Sequence, residues 1–215
     1  MKLVKVQGNR GELESYDDFV TVLRDDGIIC FPAESNYRLG ASALSLRAVN
    51  QLIAAKRRSS HAPALVFVSG PEMLEQVAAE VPPMAHRLAE EFWPGPLTLL
   101  VRPSDLFPAK VRKTLTKATG FIGVRIPGHP VARGIVERFG APLLVSSANL
   151  ARRSGATSPA QVRKNFGRQV EVMADSGDLP LLQPSTLVGL AGHDVQIQRP
   201  GAVSEADIRR VACAG

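Results

Sequence analysis

Lys56-Arg57-Arg58-Ser59-Ser60-His61 places three cations, two hydroxyls and an imidazole in one short stretch. Ammonium and guanidinium groups held in fixed positions bind phosphates and carboxylates, the guanidinium as a planar two-pronged fork. Taken alone, the stretch also reads as a charged helix cap, because the macrodipole favours cations at a helix C-terminus. Further along, Ser146-Ser147-Ala148-Asn149 gathers small donors and acceptors directly after the apolar run Pro142–Val145. Such side chains can hydrogen-bond a phosphate or carboxyl group while leaving room for it, and they also build ordinary Ser and Asx turns. Arg125 lies inside the otherwise apolar run Phe121–Ile126. A guanidinium there has to find carbonyls, an internal anion or a ligand. The polar segment from Ala33 to Gly40 follows a short apolar strand. Open sheets bind ligands at such strand ends, although a plain connecting turn looks the same.

The elements that must position these residues read as interleaved helices and strands. Leu46, Val49, Leu52 and Ile53 share one helical face, and Ala64–Val68 reads as a buried strand, so the cations sit at a helix-to-strand joint. A first helix is expected from Tyr16 to Arg24, with Ser15 as N-cap and Gly27 in the left-handed position beyond its end. Further helices are expected at Pro71–Ala79 capped by Ser69, Met84–Phe92, Val131–Phe139, Pro159–Phe166 and Ser204–Val211, the last opened by a Ser204/Asp207 capping pair. Strands are expected at Ile28–Phe31, Leu97–Val101, Phe121–Ile126, Pro142–Val145 and Val170–Met173, with others after Ser185 and before Gly201. Trp93 reads as core, and Lys110–Thr119 as a solvated basic face.

The chain has 215 residues, a formal net charge of +6, 45% hydrophobic and 5% aromatic residues. That balance suits one soluble domain over residues 1–215 with an anionic partner, and it disfavours an aromatic base-stacking platform. No run approaches the ~18 apolar residues of a membrane span, and Met1–Val6 lacks an apolar core of signal-peptide length. Cys30 and Cys213 have no CxxC spacing. Reduced thiols and a cytoplasmic setting are therefore expected.

Taken together, these pieces resemble the YrdC-like family, the threonylcarbamoyl-AMP synthases. The resemblance runs from about Asp18 to Ala202 and rests on Lys56 and Arg58 as a Lys-x-Arg element, Ser147 and Asn149 as a Ser-x-Asn element, and four flanking runs. These are Phe92-Trp93-Pro94-Gly95-Pro96-Leu97-Thr98, Val124-Arg125-Ile126-Pro127 with His129-Pro130, Ser185-Thr186-Leu187-Val188 and Arg199-Pro200-Gly201. It implies a mixed α/β fold, a twisted mixed β-sheet flanked by helices with a basic groove, without the extra C-terminal domain of longer members. The implied reaction joins threonine, bicarbonate and ATP, with Mg²⁺ in the ATP complex, into threonylcarbamoyl-adenylate for tRNA modification. Lys56 and Arg58 would hold phosphates, and Ser147 and Asn149 would serve the reacting region. Ser158 and Arg199 would lie on the nucleotide side, and Arg125 and Ser185 on the amino-acid side. No resident metal site is implied.

The chain departs from the family pattern in informative places. Ala33 stands where a threonine is usual, Arg38 where a glycine is, Phe67 where many members have a histidine, and Gly128 where an aspartate is common. Leu150–Gly155 is a longer loop carrying Arg152 and Arg153. Ala33 and Phe67 each remove a polar group from the amino-acid side, which is expected to lower selectivity for threonine. Two other readings stay open: a divergent paralogue making a carbamoyl-type adenylate from another small substrate, and a non-catalytic module holding tRNA or double-stranded RNA in the basic groove. Arg58→Ala is expected to weaken ATP binding by about 1.5–3 kcal/mol, the worth of a charge-assisted hydrogen bond. Calorimetric titration checks this, and Arg58→Lys should recover only part of the loss.

Overall fold

The computed structural model describes residues 1–7, 12–56, 63–116, 119–149, 156–191 and 194–213. In chain order the first half comprises β1 (Lys2–Lys5), α1 (Asp17–Arg24), β2 (Ile29–Pro32), β3 (Tyr37–Ser42), α2 (Leu46–Ala55), β4 (Leu65–Phe67), α3 (Pro71–Val77) and α4 (Pro83–Phe92). Then follow β5 (Leu97–Val101), α5 (Ala109–Thr116), β6 (Ile122–Arg125), α6 (Pro130–Phe139), β7 (Leu143–Ser147), α7 (Pro159–Phe166), β8 (Val172–Asp175), β9 (Thr186–Ala191), β10 (Asp194–Arg199) and α8 (Glu205–Ala212). The strands form one mixed sheet in the order β1-β8-β2-β3-β7-β4-β6-β5-β9-β10. Parallel pairs (β1 with β8, β2 with β8, β4 with β6, β5 with β9) are mixed with antiparallel ones such as β3 with β7 and β4 with β7. Helices cover the sheet: α1 packs on α6, α2 on β3, and α8 on α4 and β10. Among the described residues no helix is long and apolar enough to cross a membrane.

The helices form where apolar spacing and caps coincide. Helix α2 buries Ala48, Val49 and Leu52, and its Ser45 side chain accepts from the Ala48 N–H, so Lys56 arrives at its C-terminal end already aimed at the sheet. Ser204 caps α8 by accepting from the Asp207 N–H, as its sequence pattern implies. Trp93 is 8% exposed and its Nε1 donates to the Leu97 carbonyl at 2.7 Å, so it is core. Cys30 and Cys213 are both free, and burial raises the Cys30 thiol well above the usual range.

Several expectations change. Ala33–Gly40 is not one loop: Ala33–Asn36 is a four-residue hairpin and Tyr37 already begins β3, antiparallel to β2. Tyr37, Leu39 and Ala41 alternate into the core at 0% exposure, a strand period that Arg38 and Gly40 disguise. The left-handed residue after α1 is Asp26 (φ 63°), not Gly27. An aspartate tolerates that conformation, while Gly27 is needed for space, since a Cβ there would lie 2.6 Å from the Val22 side chain. Tyr16 rather than Ser15 occupies the N-cap of α1, although Ser15 Oγ still accepts from the Asp17 N–H at 3.1 Å. Gly70, not Ser69, is the N-cap of α3, and Pro71 follows in the first turn, where a missing N–H costs nothing. Strand β8 lies two residues later than Val170–Met173.

His129 caps α6 through its ring, with Nδ1 accepting from the Val131 N–H at 3.2 Å, which requires the neutral imidazole. Burial lowers its pKa, and the nearby Glu34 carboxylate opposes the shift only in part. The unfolded chain therefore binds this proton more readily than the folded one. The stabilisation is fully present above the unfolded value of about 6.5 and is lost as pH falls through the lower folded value. Denaturant unfolding between pH 7 and pH 5 should show this loss, and His129→Asn should flatten that part of the profile.

Candidate active-site cleft

A cleft of about 360 Å³ opens on the face of the sheet where β3, β7, β4, β6, β5 and β9 lie side by side. Its cations are Arg38, Lys56 and Arg199, and among the described residues lining it there is no Asp or Glu. Leu52, Ile53, Leu65, Val145 and Leu187 add apolar wall. A site of this kind selects an anion carried on a partly apolar body.

Lys56 is the organising cation, only 5% exposed. Its ammonium donates to the carbonyls of Ser147 and Asn149 and, at 2.9 Å, to Asn149 Oδ1. The ring centroid of Phe166 lies 5.7 Å away and adds a cation–π contact. Ser147 Oγ donates to the same Asn149 Oδ1, so helix end, strand end and the following turn form one polar node. On the far side, Arg199 donates to the Ser185 carbonyl at 2.7 Å and to Ser185 Oγ at 3.1 Å, and Ser185 Oγ lies 2.9 Å from Thr98 Oγ1. Burial lowers the Arg199 pKa. Gly201 permits this arrangement: a Cβ there would lie 2.3 Å from the Pro184 carbonyl oxygen and 2.6 Å from the Thr186 nitrogen.

Arg125 is spent internally. It is 2% exposed, its Nε donates to the Gly95 carbonyl at 2.6 Å, and its terminal nitrogen donates to Glu34 Oε1. The same Glu34 oxygen accepts from the Gly128 N–H at 2.7 Å. Burial lowers the Arg125 pKa, Glu34 raises it, and Arg199 lowers it again. Arg38 differs: burial, aided by the positive field of Arg125 and Arg199 and opposed by Glu34, pushes its guanidinium down to about 10. Its Nε is buried without a partner, as are Asn36 Oδ1 and Ser146 Oγ, and all three residues line the cleft.

Of the residues singled out in the sequence, the structure brings Lys56, Ser147, Asn149, Ser185 and Arg199 to this cleft or its polar node. Ala33 and Phe67 are covered by protein, Phe67 against Phe31 with ring centroids 6.4 Å apart, and neither lines the cleft. Ser158 caps α7, its Oγ accepting from the Gln161 N–H at 3.3 Å. Arg58, Arg152 and Arg153 lie outside the described residues. Sequence reasoning missed Glu34, Asn36 and Phe166 as site residues. For Glu34 there was a signal: a buried arginine needs an anion, and this hairpin carboxylate is the one that it meets.

The family model Sua5_yciO_yrdC, described as "Telomere recombination", matches residues 21–201. The chain belongs to this family. Threonylcarbamoyl-AMP synthase of Pyrococcus abyssi is 32% identical over 189 residues, covering 88% of this chain and 54% of the relative. That of Bacillus subtilis is 30% identical over 192 residues, with 88% and 54% covered. The chain thus spans about half the length of these two relatives. Among solved structures, P. abyssi Sua5 complexed with L-threonine superposes with a TM-score of 0.88 at 30% identity, covering 98% of this chain and 61% of that one. E. coli YciO superposes with a TM-score of 0.84 over 97% of this chain and 100% of its own; at 21% identity it speaks to the fold alone.

Removing Glu34 would strand a buried guanidinium. Glu34→Ala is expected to cost about 2–4 kcal/mol in urea unfolding, while Glu34→Ala combined with Arg125→Met should recover much of it, because the uncompensated charge goes too.

Proposed function

We propose that this chain joins a small amino acid, L-threonine by default, to bicarbonate and ATP as a carbamoyl adenylate, releasing pyrophosphate. The observation that carries the reading is the cationic cleft, with no carboxylate among its described lining residues, organised by the Lys56–Ser147–Asn149 node. The relatives' name, threonylcarbamoyl-AMP synthase, and the L-threonine in the P. abyssi structure support the choice of reaction and substrate.

In this reaction the amine of the amino acid takes up bicarbonate as a carbamate with loss of water. A carbamate oxygen then bonds to the α-phosphorus of ATP as the bond to pyrophosphate breaks. Charge builds on the phosphate chain, and catalysis consists largely of fixed cations and positioning. Lys56 and Arg58 would meet the phosphates, Ser147 and Asn149 the reacting region, and Arg199 and Ser158 the nucleotide side. Apolar side chains along the cleft would face the base. Mg²⁺ would enter on the ATP phosphates as part of the substrate. The adenylate would then serve the threonylcarbamoyl modification of tRNA.

Lys56→Met keeps the length of the side chain and removes the charge. With ATP, bicarbonate and L-threonine supplied, it should lower pyrophosphate release by about 10²-fold or more, the usual loss of a fixed charge donor. Wild-type chain that releases no pyrophosphate with any of a panel of small amino acids, yet retains RNA in a salt-sensitive way, would replace this reading with RNA binding.

A further inference from the structure

Three polar atoms in cleft-lining residues are buried without a hydrogen-bond partner: Arg38 Nε, Asn36 Oδ1 and Ser146 Oγ. Buried donors and acceptors are nearly always paired, and leaving one unpaired is costly, so a cluster of them on one cleft marks where a ligand completes the structure. Their chemistry is specific. Arg38 donates and is cationic, Asn36 Oδ1 accepts, and a serine hydroxyl does either. Arg125, the arginine that the sequence assigns to an amino-acid carboxylate, is closed off by Glu34 and Gly95 and sits outside the cleft lining. Arg199 has already turned to Ser185.

We infer that Arg38 is the carboxylate receptor of this cleft, and that Arg38 and Asn36 together take the α-carboxylate and the N–H of a small amino acid. The inference rests on the proposed reaction for its substrate class. A guanidinium fork fits a carboxylate at two points, and the amide oxygen of Asn36 accepts from the nitrogen both before and after carbamate formation, since one N–H survives that step. The α-carboxylate stays unreacted throughout, so Arg38 positions the substrate and takes no part in bond making. The receptor lies on β3, directly across from Ser147 on β7. The substrate carboxylate is thereby placed next to the Lys56 node.

The test is equilibrium binding of L-threonine, L-serine, L-valine and glycine, each compared with its methyl ester, to wild type and Arg38→Gln, with ATP titrated separately. The expected result is that the free acid binds wild type at least tenfold more tightly than its ester. Arg38→Gln should weaken the acid at least tenfold and erase the difference, with a smaller loss of ATP affinity. Persistence of the acid–ester difference in Arg38→Gln overturns the inference, as does failure of every acid to bind wild type at millimolar concentration. Arg38-dependent binding without pyrophosphate release would sink the proposed reaction and leave the receptor standing. Normal pyrophosphate release by Arg38→Gln, with an unchanged amino-acid KM, would do the reverse. If Arg38→Gln does not fold, protection of Arg38 in wild type from phenylglyoxal by L-threonine, read by peptide mass, decides: protection supports the inference, and unprotected Arg38 at saturating threonine overturns it.

Discussion

The Lys56 ammonium closes α2 and is wrapped by oxygens of Ser147 and Asn149 at the end of β7. A lysine so little exposed is expensive to desolvate, and the cost is tolerable only because carbonyl and amide oxygens replace water. Everything else about the cleft inherits from that bond. It sets the height of α2 above the sheet, directs the chain leaving β7 and fixes the orientation of the Asn149 amide. A neutral side chain in its place would fill the space but leave the Ser147 and Asn149 oxygens without the ammonium that gathers them.

A second ion pair does complementary work away from the cleft. Glu34 joins the β2–β3 hairpin to Arg125 on β6 and to the Gly128 amide ahead of α6. The consequence is a division of labour among three guanidiniums that lie within each other's field. Arg125 is neutralised and structural, Arg199 is held by Ser185, and Arg38 remains turned to the cleft without a carboxylate. Their mutual repulsion is offset when an anion occupies the cleft, so affinity for anions is built into the unliganded protein.

Much of this was legible in the sequence where physics is local. Leu46, Val49 and Leu52 announce α2 by spacing, Ser204 and Asp207 announce the start of α8, and the polar groups after Val145 flag the site. What escaped were effects of tertiary contact. Tyr37, Leu39 and Ala41 carry the strand period of β3, but Arg38 and Gly40 disguise it until β7 pairs along Arg38–Ser42. Asp26 takes the left-handed position, and Gly27 beside it serves close packing, with no room for a Cβ against Glu171 and Val22. The partner of Arg125 lies 91 residues away at Glu34, a separation that no local pattern encodes. Phe67 reads as a substituted site residue, yet its side chain packs on Phe31.

Strand β7 lies between β3 and β4 and pairs antiparallel with both, although it follows them in the chain by about a hundred and by about seventy-five residues respectively. A growing polypeptide that has not yet reached Leu143 therefore carries two bare strand edges facing an empty slot. Such edges template pairing with other chains, and closure over so long a loop is slow. Insertion of these five residues, which end in the serine held by Lys56, closes that slot and assembles the Lys56 node in one event.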